Sequence, residues 1–242
     1  MKEKGKYSVF LIGGLLLAAF VLWTILIQCV DVQPVGQNGT DIGFAAFNVW
    51  FHDLTGVHMP IYNVTDWLGL VPMLVCVCFG MVGAVQLIRR KSLLQVDVDI
   101  ILLGIYYILV IAEYLFFEKV AINYRPIPIE GVMEASYPSS TTLLVLSVMP
   151  TLKYQIDRRS GDSTLRNVTT VFVIAFSAFM VIGRLVSGVH WATDIVGAVL
   201  SSAGLFMLYV GAVYFTEKRQ AGKRVPAMAR QPRDADQRIG RG

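Results

Sequence analysis

Long apolar runs punctuated by short charged segments set the pattern of this chain. Such runs cover about Tyr7 to Val30, Trp67 to Leu87, Ile100 to Phe117, Val168 to Leu185 and Ala192 to Phe215. A shorter one runs from Ser139 to Leu152 and contains Pro150. About 20 mostly apolar residues cross the roughly 30 Å of a bilayer's hydrocarbon as a helix, and proline is tolerated in such helices. The pattern therefore predicts an all-α integral membrane bundle of six transmembrane helices. It divides the chain into a first helix with its outer loop (1–66), a core (67–215) and a flexible, basic cytoplasmic tail (216–242).

Composition agrees with this division. Of 242 residues, 55% are hydrophobic and 16% charged, where a soluble domain carries about a quarter charged. Lys2, Lys4 and Lys6 precede the first run as they would in a signal peptide. That run is long and lacks a small-residue cleavage site, so it reads as a retained helix. Cys76 and Cys78 fall within a span, where cysteine serves as a small apolar filler. Cys29 adds no disulfide framework. No internal repeat or separate soluble domain is visible. The outer loop holds an aromatic patch, Phe44 to Phe51, that suits a short interfacial helix.

Charge placement orients the bundle. If the N-terminus is cytoplasmic, the inner tails and loops hold 18 of the 21 Lys and Arg residues, which predicts both termini inside. The three others, Lys119, Arg125 and Arg184, fall at the outer ends of helices. Each could pair with a nearby carboxylate, or the three could hold an anion. Glu113 stands inside the third span, where an isolated charge is costly, so it is expected to be protonated or paired.

Three clusters carry candidate chemistry. Gly183-Arg184, His190 and Asp194 form the first. A carboxylate four residues from a histidine can lie one turn away on the same helix face, fix one ring nitrogen and leave the other as nucleophile or base. Arg184 can fork two hydrogen bonds onto phosphate oxygens. The second cluster, Tyr137-Pro138-Ser139-Ser140-Thr141, opens the fourth span, and a serine-rich helix start offers hydroxyls and free N–H groups to an anion. The third is Lys119 with Arg125-Pro126, two cations on a short loop.

In this order and at these span ends, the clusters resemble the type 2 phosphatidic acid phosphatase family, whose superfamily includes the vanadium haloperoxidases. The family pattern is Lys-x6-Arg-Pro, Pro-Ser-Gly-His, then Ser-Arg-x5-His-x3-Asp. The resemblance covers about residues 67–215. It implies that His190 takes the phosphoryl group as a phosphohistidine and that Asp194 orients it. It implies that Lys119, Arg125, Arg184, Ser139 and Ser140 bind phosphate, at a membrane face on the non-cytoplasmic side of the plasma membrane. The implied substrate is a lipid phosphate or diphosphate. No metal or cofactor is called for, and no nucleic-acid partner; the sequence does not specify an oligomeric state.

Three departures from the pattern stand out. Gly183 replaces the family serine. Lys119 and Arg125 are separated by five residues instead of six, so Glu118 takes the six-gap position, about 100° away on a regular helix. Thr141 replaces the family histidine that protonates the leaving oxygen. Another acid must then act, Glu134 or Glu130 being nearest in sequence, or the substrate must have a good leaving group, or the protein binds phosphate with slow turnover. His52 and His58, on the outer loop, read as solvated. A small transporter is the remaining reading, and the spans offer it little beyond Glu113.

Overall fold

The computed structural model describes the backbone of residues 4–229 and the side chains of residues 8–217. Among the described residues eight α-helices follow in order: α1 (Lys4–Ile27), α2 (Ala45–Thr55), α3 (Met59–Leu68), α4 (Leu70–Arg90), α5 (Val98–Lys119), α6 (Ser140–Arg159), α7 (Ser163–Val186) and α8 (Ala192–Ala229). Among the described residues, five stretches are long and apolar enough to cross a membrane: α1, α3 with α4, α5, α7 and α8.

The shorter fourth run becomes α6, the most interior helix of the bundle. It touches α4, α5, α7 and α8, and Val145, Val148, Met149, Thr142, Ser147, Thr151 and Gln155 on it are buried. Surrounded by protein instead of lipid, it can carry polar side chains that find partners. Tyr106 donates to the Ser147 carbonyl (2.9 Å), Tyr107 and Thr151 share a hydrogen bond (2.7 Å), and Gln155 donates to the Tyr209 hydroxyl (2.7 Å). The helix runs through Pro150 to Arg159, longer than its apolar stretch.

The second run also differs from expectation. Helix starts earlier, at Met59, and breaks at Gly69. Pro72 lacks the N–H that would bond the Leu68 carbonyl, so the helix cannot pass straight through. The break frees α3 to lean toward α7. A boundary between residues 66 and 67 therefore cuts through α3. The aromatic patch forms α2, with Phe47, Trp50 and Leu54 exposed. At the other terminus α8 stays helical to Ala229; residues 230–242 of the basic tail lie outside the described residues.

Helices α1 and α8 run antiparallel in close contact. Gly204 allows this, since a Cβ there would stand 2.8 Å from Leu17 Cδ2 and 3.1 Å from the Leu17 backbone nitrogen. Farther along the pair, Trp23 donates to the Thr193 carbonyl (3.1 Å) and Thr24 shares a 2.7 Å hydrogen bond with the Tyr137 hydroxyl. Helix α1 thus braces the start of α8 and the segment before α6.

The two ends of the bundle differ in charge. At one end Arg90, Arg158 and Arg159 pair with Asp97, Asp99 and Glu217 in a network joining α4, the start of α5, α6 and α8. At the other end lie Lys119, Arg125 and Arg184. Glu113 on α5, instead of meeting a base, accepts a hydrogen bond from Ser201 on α8.

Gly204→Leu is expected to destabilise the protein by about 1–3 kcal/mol through overpacking of the α1–α8 contact. Thermal unfolding in detergent, followed by tryptophan fluorescence, checks this; an unchanged midpoint contradicts it.

Candidate active site

Three segments meet at the less charged end: the loop between α5 and α6, the start of α6, and the loop between α7 and α8. The first folds back on itself. Asn123 accepts from the Ser136 amide (2.9 Å), and Arg125 donates its amide to the Glu134 carbonyl (3.0 Å). Glu130 and Gly131, both at positive φ, make the turn. This returns the chain so that Ser136 and Arg125 face the same interior.

The loop after α7 carries His190. Gly188 sits at φ +73°, and a Cβ there would lie 2.4 Å from the Gly56 carbonyl oxygen, so the loop presses on the end of α2. His52 contributes to that contact through its Nε2, 3.2 Å from the Gly188 carbonyl, a packing role for a residue expected in solvent. Asn48 on α2 is buried and reaches the start of α8, donating to Thr193 Oγ1 (3.0 Å).

Asp194 ties these parts together. It is fully buried. Its Oδ1 accepts from Asn123 Nδ2 (3.1 Å) and its Oδ2 from the Trp191 amide (3.0 Å). The second bond is a third-residue carboxylate reaching back to the helix N-cap, one half of a capping box. The Asp194 carbonyl accepts from the Ser139 amide (3.2 Å), and Trp191 Nε1 donates to the Tyr124 carbonyl (2.8 Å).

His190 precedes α8 and is not on it, so the pair does not meet along a helix face as the four-residue spacing suggests. Its Nδ1 lies 3.2 Å from the Ser136 carbonyl and 3.6 Å from Asp194 Oδ2. Two acceptors beside Nδ1 favour the tautomer with the proton there. Nε2 then carries a bare lone pair; it is buried and has no protein partner. Burial pushes the imidazole down to about 4; the Asp194 hydrogen bond opposes this, and the positive fields of Arg125 and Arg184 add to it. The ring is a neutral base throughout the physiological range.

The two arginines share the cup with this ring. Both guanidinium groups lie over the Tyr62 ring of α3, Arg184 at 4.8 Å and Arg125 at 6.0 Å from its centre, within range for a cation–π contact. Arg184 is almost fully buried. Its Nη2 donates to Asp66 Oδ1 (2.9 Å) and to Thr141 Oγ1, while its Nε and Nη1 have no protein acceptor. Arg125 Nε lies 3.0 Å from Glu134 Oε2 without hydrogen-bond alignment, and its Nη1 is likewise buried and unpaired.

The remaining sequence candidates divide. Ser139 is buried at the N-cap of α6, its hydroxyl donating to Thr142 Oγ1 (3.1 Å). Ser140 lines the pocket beside Arg125, and so do Glu118 and Glu134. Lys119 is exposed at the end of α5 and does not line that pocket; Glu118, one residue earlier, lines it in its place. Glu134 is engaged with Arg125, and Glu130 is exposed at the turn tip.

Four participants were absent from the sequence reading: Tyr62, Asp66, Asn123 and Ser136. Tyr62 and Asp66 lie four residues apart on α3, one turn of the same face, and that spacing was the available signal. Their approach depends on Gly183, where a Cβ would stand 2.6 Å from Thr65 Cγ2.

Because the folded imidazole binds its proton less readily than an unfolded histidine near 6.5, the unfolded state holds more protons between those values. Stability is expected to fall as pH drops from about 6.5 toward about 4. In ¹³C-histidine NMR of the detergent-solubilised protein, the signal lost in His190→Gln is expected to titrate near pH 4. A midpoint near 6.5 contradicts this environment.

Residues 101–219 match the model of the PAP2 superfamily. The fold is similar to the crystal structure of a transmembrane PAP2-type phosphatidylglycerolphosphate phosphatase from Bacillus subtilis, with a TM-score of 0.62 and 16% sequence identity over 85% of this chain and 96% of that one. No curated protein matches. The match contains Arg125, Ser139, Arg184, His190 and Asp194, and together with the similar membrane fold it supports assigning this chain to the PAP2 superfamily.

Proposed function

We propose that this protein is a membrane phosphatase that hydrolyses a lipid phosphate or diphosphate through a phosphohistidine at His190. The observation that carries this reading is the bare, buried Nε2 of His190 in one cup with two guanidinium groups whose nitrogens lack protein acceptors. Donors in such surroundings suit an anion.

In this reading the phosphoryl group sits on Arg125 and Arg184 and on the N–H groups at the start of α6. His190 Nε2 attacks phosphorus. The Ser136 carbonyl and Asp194 hold the Nδ1 proton and stabilise the ring as it gains positive charge. The guanidinium groups stabilise the charge on the equatorial oxygens of the transition state. Water then cleaves the phosphohistidine and frees His190.

A groove supports a lipid substrate. Its volume is about 540 Å³, and it runs between α4, α5 and α6 from Asp66, Ser140 and Thr141 past Met73, Val110, Leu144 and Val148. An apolar cleft with its polar groups at one end fits an amphiphile whose tail stays in an apolar phase. The placement of basic residues supports a site on the non-cytoplasmic face, with both termini inside.

Purified protein in detergent is expected to release phosphate from dioctanoyl phosphatidic acid or from a polyprenyl diphosphate. His190→Ala is expected to abolish this release, and Arg184→Ala to lower kcat/KM by at least about 10²-fold. Equal rates for wild type and His190→Ala remove His190 from the mechanism. Phosphate binding without turnover, unchanged by His190→Ala and lost in Arg184→Ala, supports the alternative that Thr141 motivates, a catalytically impaired lipid-phosphate-binding protein. Topology has a native probe in Cys29, exposed just past α1 at the site end. A membrane-impermeant maleimide is expected to label it in intact cells; labelling only after lysis reverses the orientation.

A further inference from the structure

We infer that Asp66 is the proton donor to the leaving oxygen, the role that Thr141 cannot fill. This deepens the phosphatase reading and rests on it.

The bond that breaks joins two parts of the substrate with different binding places. The phosphoryl group belongs at the guanidinium of Arg184, and the lipid chain belongs in the apolar groove. The leaving oxygen therefore lies where cup and groove meet. Two side chains at that junction touch the same Arg184 nitrogen: Asp66 Oδ1 and Thr141 Oγ1 each accept from Nη2. Both also line the mouth of the groove. An aliphatic hydroxyl is far too weak an acid to protonate an alkoxide in catalysis, which leaves the carboxyl. Glu134 does not line the groove, and it is engaged with Arg125 on the other side of the cup. Glu130 stands at an exposed turn.

Asp66 can also exchange protons. Its side chain is 57% exposed, while that of Arg184 is 2% exposed, so the pair sits at the boundary between water and the cup. A lipid phosphate monoanion brings one proton with it. On arrival at Arg184 it places a second anion beside the carboxylate, and a proton shared between the two relieves their repulsion. As His190 Nε2 forms the N–P bond, the P–O bond to the lipid alcohol breaks with its electron pair on oxygen. The proton passes through Asp66 to that oxygen, and the alcohol departs. In the second half, Asp66 takes a proton from the attacking water, the N–P bond breaks, and inorganic phosphate leaves as Asp66 returns the proton to solvent.

The test separates proton donation from binding by leaving group. Wild type and Asp66→Asn are compared on dioctanoyl phosphatidic acid, whose alcohol leaves poorly, and on p-nitrophenyl phosphate, whose phenolate leaves without help. The kcat/KM on phosphatidic acid, which reports only the steps through departure of the alcohol, is expected to fall about 10²- to 10⁴-fold and that on the aryl ester by less than about tenfold, with inhibition by inorganic phosphate retained. Adding Thr141→His to Asp66→Asn is expected to regain at least about tenfold on phosphatidic acid, since an imidazole beside Arg184 can donate a proton. Equal losses on both substrates, or no loss on phosphatidic acid, overturn the proposal while leaving His190 as nucleophile. If Asp66→Asn does not fold, Asp66→Glu takes its place: a selective change on phosphatidic acid supports the role and a uniform change refutes it. Loss of turnover in His190→Ala is read separately and concerns the phosphatase reading itself.

Discussion

A buried carboxylate, Asp194, is the constraint on which the site depends. Ionised groups are expensive to remove from water unless hydrogen bonds surround them. Asp194 gains such bonds from Asn123 and from the Trp191 amide, and it lies beside His190 Nδ1. Meeting its needs forces two loops and the start of α8 into one arrangement. The same backbone unit accepts the Ser139 amide and so registers α6 against α8. What is left over is a ring nitrogen with nothing to bond inside the protein.

The cations around that ring present the opposite difficulty. Arg125 and Arg184 repel one another and are sheltered from solvent. Their mutual cost is offset by the shared face of Tyr62 and by one carboxylate each, Glu134 for Arg125 and Asp66 for Arg184. Each guanidinium retains buried nitrogens without acceptors. A site balanced in this way is preorganised for an anion: the donors are already in place and desolvated before the ligand arrives.

Much of this was legible in the chain. Apolar runs mark the spans because lipid-facing positions admit few alternatives. The Arg184, His190 and Asp194 spacing was legible because those residues lie close in sequence around one loop. The polarity of α6 hid its length, since a helix wrapped by other helices need not look like one bathed in lipid. Lys119 is out of place by one residue of register: Glu118, at the six-residue gap from Arg125, lines the pocket and Lys119 does not. Tyr62 and Asp66 escaped notice because their significance arises only when α3, freed by the break at Gly69, leans on α7. Their four-residue spacing marks a shared helix face but not the helix that face meets.

The missing side chain at Gly183 makes the α3 residues and the α7 arginine mutually dependent. Thr65 occupies the space where a Cβ would stand, so any larger residue at 183 must lift α3 away from the bundle. Tyr62 and Asp66 would then leave together, and the arginine would lose its aromatic floor and its counter-ion in one step.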